Sequence, residues 1–286
     1  ILVVRLALAR GELPRAQELA EVNRADAMRV AGDSLLLART ELRLGEVASA
    51  ADRRPEALAH YGAARDLALR HPGDHRDTLA ILRQWSIALY RLGRFDEAGQ
   101  AQDQVEAMLE RLEVPVAVRA TVLSWRATLL WRAERGREAI DAFTTALDML
   151  ETQRLQHVYG LGARQNLATL LFERGDLAAS ARLFEAALAD EARLRPGTLD
   201  EARVLVNAAR NDDLLGRDEL AAERYARADA ILARLAPDAQ LRAYVSVNWA
   251  EHLARVGQTA AAEARFEQAV AIARKLDRDC YCAGPT

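Results

Sequence analysis

Residues 166–188 read NLATLLFERGDLAASARLFEAAL, a helix-forming stretch that is interrupted by Gly175. Ser180 lies five residues after this glycine, Phe184 nine residues after it and Ala187 twelve residues after it. A small side chain where a core would normally hold Leu or Phe lets two helix backbones approach closely. The stretch therefore predicts a helix, a tight turn and a second helix that crosses its neighbours at short range.

The same pattern returns every 41 residues without insertion or deletion, and we name four positions of it. The turn position holds Gly11, Asp52, Gly93, Glu134, Gly175, Gly216 and Gly257. The crossing position, in the second helix, holds Ala16, Ala57, Ala98, Ala139, Ser180, Ala221 and Ala262. The aromatic position, four residues later, holds Ala20, Tyr61, Gln102, Phe143, Phe184, Tyr225 and Phe266. The alanine position, three residues further, holds Asn23, Ala64, Val105, Ala146, Ala187, Ala228 and Ala269. A fixed period of this size is typical of a solenoid.

Each unit has the pattern of two helices joined at the turn position. Leu167, Leu170 and Leu171 have helical spacing in the first helix of the quoted stretch. A glycine after them suits the left-handed end of a helix. Prolines that would block helix continuation separate the units, namely Pro72, Pro115, Pro196 and Pro237. No stretch alternates as a strand would, so the sequence predicts an all-α chain.

The second helix resembles that of the tetratricopeptide repeat, which follows the pattern A-x3-F/Y-x2-A. Four units match it fully, at residues 57–64, 139–146, 221–228 and 262–269. Gly45 matches the glycine of the first helix in that family. The period of 41 exceeds the usual value of about 34, as in the longer repeats of kinesin light chain and of many bacterial signalling proteins. NLA at 166–168, NAA at 207–209 and NWA at 248–250 resemble the Asn-Leu-Ala of that longer type.

This resemblance implies a right-handed superhelical solenoid of antiparallel helix pairs, with about seven repeats of 41 residues, the first of them partial. We expect residues 1–286 to form a single solenoid domain. Because the chain begins with Ile rather than Met, we expect it to be a fragment of a longer protein. Gln102 and Val105 depart from the family pattern, which affects the evenness of the curve rather than the fold.

Composition narrows the classes of partner. The net charge of −3 gives no general attraction to nucleic acid or to an anionic membrane. No run approaches the ~18 apolar residues that a membrane helix needs. The two cysteines, Cys280 and Cys282, lie close together near the end, so a disulfide framework is excluded and a reducing, cytoplasmic location is expected. The sequence therefore favours a protein or peptide partner.

No signature of an enzyme is present. The chain has no phosphate-binding loop, no zinc-protease motif and no nucleophile elbow, so we predict a non-enzymatic protein without a cofactor. His71, Asp74 and His75 could suggest a metal, but they fall in a proline-containing connection and are too few. We likewise interpret Cys280 and Cys282 as part of an exposed tail.

In the tetratricopeptide family, first helices line an inner groove that holds a peptide or a partner helix. The repeat register carries these groove positions onto this chain. They are Arg39, Arg43, Arg83, Gln84, Ser124, Trp125, Thr128, Trp131, Arg132, Gln165, Asn166, Thr169, Arg203, Asn207, Arg210, Tyr244, Asn248 and Glu251.

Three features of this set have two interpretations each. The asparagines at 166, 207 and 248 could pair with a ligand backbone or bridge neighbouring helices. The arginines, which outnumber the acids, suit an acidic partner or simply balance charge on the second helices. Trp125 and Trp131 could anchor a partner side chain or belong to the core. Trp85 and Trp249 share one apolar position, and we predict that both are core.

The function that we favour is a non-enzymatic scaffold that binds a peptide or protein segment in its concave groove, as the regulatory region of a bacterial signalling protein. One alternative is a sensor that binds a small signalling ligand or peptide and controls an attached kinase or DNA-binding domain. The other is a self-association module that uses its end helices. A surface of this kind does not identify its partner.

Overall fold

The computed structural model describes residues 2–10, 12–31, 35–71, 73, 75–155 and 159–282. Within these ranges the chain forms fourteen helices and no strand. The helices are α1 (Leu2–Ala9), α2 (Leu13–Ala31), α3 (Leu35–Ala50), α4 (Arg54–Leu69), α5 (Arg76–Arg91), α6 (Phe95–Arg111), α7 (Val116–Arg132), α8 (Gly136–Thr152), α9 (Leu161–Glu173), α10 (Leu177–Leu194), α11 (Leu199–Leu214), α12 (Asp218–Leu235), α13 (Gln240–Arg255) and α14 (Thr259–Cys282). None of these helices combines the length and apolar character needed to cross a bilayer.

The chain divides into two compact units, Ile1–Glu134 and Arg135–Thr286. In the first unit α3 packs on α4 and α5 on α6, and each pair contacts the next. In the second unit α9 packs on α10, α11 on α12 and α13 on α14, again with contacts between successive pairs. The predicted all-α solenoid of helix pairs is confirmed.

The turn position has a left-handed backbone in every 41-residue repeat where it is described. Its φ is 77° at Gly93, 81° at Gly175, 70° at Gly216 and 81° at Gly257. Asp52 and Glu134 adopt the same conformation, with φ of 56° and 60°, although they are not glycine. Gly11 lies outside the described residues.

The hydrogen bonds at this turn explain why it is sharp. After α5, the Gly93 N–H donates to the Tyr90 carbonyl at 2.9 Å and the Arg94 N–H donates to the Leu89 carbonyl at 3.0 Å. This pair of bonds is the Schellman motif, which satisfies the last carbonyls of a helix. It forms when the residue that follows the C-cap of the helix, here Gly93, has a left-handed backbone. The second helix therefore begins only a few residues after the first one ends.

Glu134→Gly should stabilise the protein. A left-handed residue with a Cβ is strained by roughly 1–2 kcal/mol, and the greater freedom of glycine in the unfolded chain offsets part of the gain. We expect the free energy of unfolding, measured in urea, to rise by about 0.5–1 kcal/mol. The control Glu223→Gly, at an exposed position inside α12, should instead lose about 0.5–1 kcal/mol. A loss in both variants would contradict this account of the turn.

The small residues of the quoted stretch lie where helices meet. Ala168, Ser180 and Ala187 are completely buried. The Ser180 hydroxyl donates to the Ala168 carbonyl at 2.8 Å, which joins α9 to α10 directly at their crossing. In the first unit the direction is reversed, since Ser86 on the first helix α5 donates to the carbonyl of Ala98 at the crossing position of α6, also at 2.8 Å. The crossing position is buried in all seven units.

The aromatic position fills the space beside each crossing. Tyr61, Phe143, Phe184 and Tyr225 are at most 4% exposed. A methyl group added at Gly45 would come within 2.5 Å of the Tyr61 ring, which explains the glycine there. Three members depart from the pattern, since Ala20 and Gln102 are buried without being aromatic and Phe266 is 41% exposed.

Ala187→Leu tests the close packing of the alanine position. Three extra carbons at a fully buried position force neighbouring side chains and helices apart, which costs about 1–3 kcal/mol. Ala186→Leu on the exposed face of the same helix should change the free energy of unfolding by less than about 0.5 kcal/mol. Chemical denaturation of both variants checks this, and equal stability would mean that α10 and α11 do not pack tightly at this point.

Candidate functional site

The predicted groove positions of the first unit include a cluster of arginines around one acid. Arg43 donates a hydrogen bond to Glu46, one turn along α3, and both side chains are largely buried. Arg39 lies 3.6 Å from Asp77 at the start of α5. Arg83, on α5, is half-buried and interacts electrostatically with Glu46. Arg83 has no carboxylate oxygen within 4.0 Å among the described residues.

Burial affects both charges of this cluster. It raises the pKa of the Glu46 carboxyl above its ordinary value of 4.5, and the attraction of Arg43 offsets this only in part. Burial also lowers the pKa of the Arg83 guanidinium, while the charge of Glu46 acts in the opposite direction. The Arg43 Nε is buried without a hydrogen-bond partner. The buried parts of Arg43 and Arg83 have therefore lost contact with water without gaining a full set of hydrogen bonds or ion pairs in exchange.

Glu46→Gln tests this electrostatic account through pH. Because the folded-state pKa of Glu46 is raised, its contribution to stability is fully present below the unfolded value of 4.5 and is lost as the pH rises through the raised pKa. We expect the stability of the variant relative to the native chain to increase between about pH 4 and pH 7. The exposed Glu110→Gln should show no such trend, and a relative stability that falls with pH would overturn the assignment.

The two predicted aromatic anchors of the first unit, Trp125 and Trp131, are both half-buried. The Trp125 indole N–H donates to the Ser86 hydroxyl at 2.8 Å, and its ring meets the edge of Tyr90 at 5.1 Å. Trp131 is half-buried and has a partner. These contacts favour the core interpretation of Trp125 over the anchor interpretation.

The remaining predicted positions of α5 and α7 differ in exposure. Gln84 is half-buried. Ser124 and Thr128 donate to carbonyls of their own helix. Arg132 is exposed and covers the ring of Phe95 at 4.9 Å. The first helices of this unit thus present mainly guanidinium groups.

In the second unit the three asparagines are not equivalent. Asn248 is only 8% exposed, and its amide donates to the Tyr244 carbonyl of the same helix at 2.7 Å. Asn166 is half-buried and already has a partner. Asn207 is half-buried, and no described residue hydrogen-bonds to its side chain. An unbroken amide ladder is therefore not formed, and Asn207 is the member available to a ligand.

Two clefts on this unit include predicted groove residues. Gln165 and Arg203 line a cleft of about 620 Å³ together with Tyr159, Leu161, Gly162, Leu194, Arg195 and Asp200. Arg203 donates to Asp200 at 2.8 Å, and Gln165 donates to the buried Glu191 at 3.2 Å. Thr169, between Gln165 and the end of α9, donates to the Gln165 carbonyl at 2.9 Å.

The second cleft, of about 230 Å³, is built around Arg210 and is also lined by Asn248 and Glu251. Arg210 lies 5.1 Å from the ring centre of Phe172 on α9 and donates to the Tyr244 hydroxyl on α13 at 2.7 Å. One guanidinium thus connects the three first helices of the unit. Tyr244 and Glu251 are exposed beside it.

An ion-pair network next to this cleft was not predicted from the sequence. Asp213 accepts hydrogen bonds from the Tyr225 hydroxyl at 2.9 Å and from Arg255 at 2.8 Å, and its other contact is His252 Nδ1 at 2.6 Å. Arg255 also donates to Asp218 at 2.6 Å. Asp213, Asp218 and His252 are close enough to hold a metal ion, but the Arg255 guanidinium already joins the two carboxylates. The signal in the sequence that could have indicated this network is Asp213 itself, an acidic residue that comes after the buried apolar residues of the first helix α11.

The two tryptophans that we predicted to be core are half-buried against core residues. Trp85 packs beside Ala57 and Tyr61, and Trp249 beside Tyr225. The outer face of each ring is covered by an arginine of a second helix, Arg65 at 4.4 Å and Arg265 at 3.6 Å. The core prediction thus holds for one face of each ring. Cation–π contacts of this kind were not predicted.

The two metal candidates that the sequence suggested fall partly outside the described residues. His71 and His75 are described, whereas Asp74 lies outside the described residues. The side chains of Cys280 and Cys282 also lie outside them.

Comparison with known proteins supports the repeat assignment. Residues 36–111 match the model of the tetratricopeptide repeat family. Comparison with curated protein sequences finds no significant match. The crystal structure of BtubC (BKLC) from P. vanneervenii shares the fold with a TM-score of 0.64 and 18% identity, over 90% of this chain and 92% of that chain.

Two further similar structures are Rap proteins. A Rap protein complexed with Competence and Sporulation Factor has a TM-score of 0.74 and 15% identity, over 98% of this chain and 77% of that chain. The Rap conjugation gene regulator of the plasmid pLS20, in complex with the Phr peptide, has a TM-score of 0.64 and 12% identity, over 88% and 78%. At such identity these likenesses show the fold. The predicted array of tetratricopeptide type is confirmed.

Proposed function

We propose that this tetratricopeptide-type array is a non-enzymatic interaction scaffold, which binds an extended peptide or protein segment on the face formed by its first helices. The observation that carries the proposal is Arg83, a half-buried guanidinium for which no described residue supplies an ion pair. A charge withdrawn from water without a partner is unfavourable. A carboxylate from a bound segment would compensate it.

The surroundings of Arg83 favour an acidic segment. Arg39 and Arg43 belong to the same predicted groove, and the nearest acid, Glu46, already accepts from Arg43. Guanidinium groups bind carboxylates through paired hydrogen bonds, which are stronger than those between neutral groups. We therefore propose that the first unit binds an Asp or Glu side chain or a free C-terminal carboxylate.

The second unit, taken by itself, offers polar and aromatic groups to an extended segment. Arg203 and Arg210, which line its two clefts, are seven residues apart on α11, about 10 Å along a helix. An extended peptide covers that distance in about three residues. Asn207 lies between the two clefts on the same helix and has an amide available for the peptide backbone.

The fold of this chain is also that of the Rap regulator solved in complex with a peptide, which supports a peptide as the partner class. We propose a cytoplasmic location and a regulatory role in a bacterial signalling protein as the wider setting.

Selection from a random peptide library on the immobilised protein would test the partner class. We expect the selected peptides to be enriched in Asp and Glu, and to bind Arg83→Gln about 10- to 100-fold more weakly, since a hydrogen-bonded charge contributes about 1.5–3 kcal/mol. Fluorescence anisotropy with one labelled selected peptide would give the two dissociation constants. Affinity should also fall with added salt.

Arg137→Gln is the matched control, because Arg137 is an exposed arginine of the second helix α8. It should bind the selected peptide like the native chain. Peptides without acidic enrichment, or equal affinity for the Arg83 and Arg137 variants, would contradict the proposed binding mode.

A further inference from the structure

A separate cleft of about 420 Å³ lies in the first unit, and none of the residues that line it belongs to the predicted groove positions. It is formed where the end of α4, the start of α5 and the second half of α6 meet. Leu82 and Met108, both buried, form its apolar wall. His71, Thr78, Gln104 and Arg111 add polar groups, of which Arg111 already has a partner. Its size is within the range of small-molecule sites, about 300–1,000 Å³.

Two polar atoms of this cleft are buried without a hydrogen-bond partner. Thr78 is only 3% exposed, and its hydroxyl has none. The Nε2 atom of His71 is also buried and has none. Buried hydroxyl and imidazole groups are nearly always paired, since leaving them unpaired is costly. The cleft is therefore lined by two residues that each have a polar atom without a hydrogen-bond partner.

The repeat explains why this cleft exists at Thr78. One period further along the chain the same position holds Arg119, which donates to the Leu112 carbonyl of the preceding connection at 3.0 Å. Two other units hold Glu201, which accepts from the Gly197 N–H at 2.5 Å, and Arg242, which donates to the Pro237 carbonyl at 3.2 Å. In those units a long polar side chain reaches the connection. The threonine is too short to do so, and its hydroxyl stays unpaired.

We infer that this cleft is a binding site for a small apolar molecule that carries one hydroxyl group, with an aromatic ring as its body. The ring would pack on Leu82 and Met108, and the hydroxyl would hydrogen-bond to Thr78 Oγ1 and His71 Nε2. A hydroxyl both donates and accepts from a single atom, so it can pair with the Thr78 hydroxyl and with either tautomer of the His71 ring. The site is independent of the groove proposed above.

Met108 makes the site directly observable. The chain has three methionines, Met28, Met108 and Met149, and among them only Met108 lines this cleft. We propose to label the methionine methyl groups with ¹³C in the full chain and to titrate phenol, with toluene as the probe of matched shape that lacks the hydroxyl. Phenol should shift the Met108 methyl resonance in a saturable manner and leave the other two unchanged, and toluene should bind more weakly.

Two variants separate the hydroxyl from the shape of the cleft. Thr78→Val keeps the volume and removes the hydrogen bond, so phenol should bind about 3- to 10-fold more weakly. Thr78→Arg introduces the long side chain found in other units, and it should fill the cleft and abolish the Met108 shift. Circular dichroism and thermal unfolding of each variant would show that the fold is kept.

Four results would overturn the inference. One is the absence of a saturable Met108 shift with phenol, which would mean that water satisfies these polar groups. Another is a shift of the same size in all three methionines, which indicates non-specific adsorption. The third is unchanged phenol binding in folded Thr78→Arg, and the fourth is equal binding of phenol and toluene.

Discussion

The structure depends on close contact between helix backbones at the crossing position of every repeat. This contact requires a residue no larger than serine, and the chain supplies one in all seven units. It also requires the first helix to end abruptly, which the left-handed turn provides even where the residue is Asp52 or Glu134. Once the crossing is fixed, the aromatic ring four residues later has a defined space to fill. The size of the residue at the crossing position thus determines how closely the two helices approach, and this requirement recurs with the period of the repeat.

The polar residues of each unit are of two kinds. Some are tied into hydrogen-bond networks, such as Asp213 with Tyr225 and Arg255 in the second unit, or Ser86 with Trp125 in the first. Others, such as Arg83 in the first unit and Asn207 in the second, have no ion pair or side-chain hydrogen bond to a described residue. The groups of the second kind are the ones that we propose a partner would use.

The repeat was predictable from the sequence because small residues, turns and aromatics recur in one register, and each has a local physical cause. Side-chain partnerships were harder to predict. The asparagines at 166, 207 and 248 share one position, yet Asn248 bonds to its own helix while Asn207 does not. Trp125 occupies a groove position but turns to Ser86, 39 residues away. Which hydrogen bonds form depends on which side chains of adjacent helices lie close enough in space. The order of residues along the chain does not give these distances.

Gln102 is a polar residue at the aromatic position, and its effect on stability is confined to one hairpin of the repeat array. It occupies the aromatic position of the α5–α6 hairpin, where its amide donates to Glu106 and to the Val122 carbonyl while its own carbonyl oxygen has no partner. In a solenoid each hairpin is stabilised mainly by its neighbours, so a deficit in one is not shared by the whole. Local unfolding of the α5–α6 hairpin should therefore cost less free energy than that of a hairpin whose aromatic position is filled by the buried ring of Phe143 or Phe184.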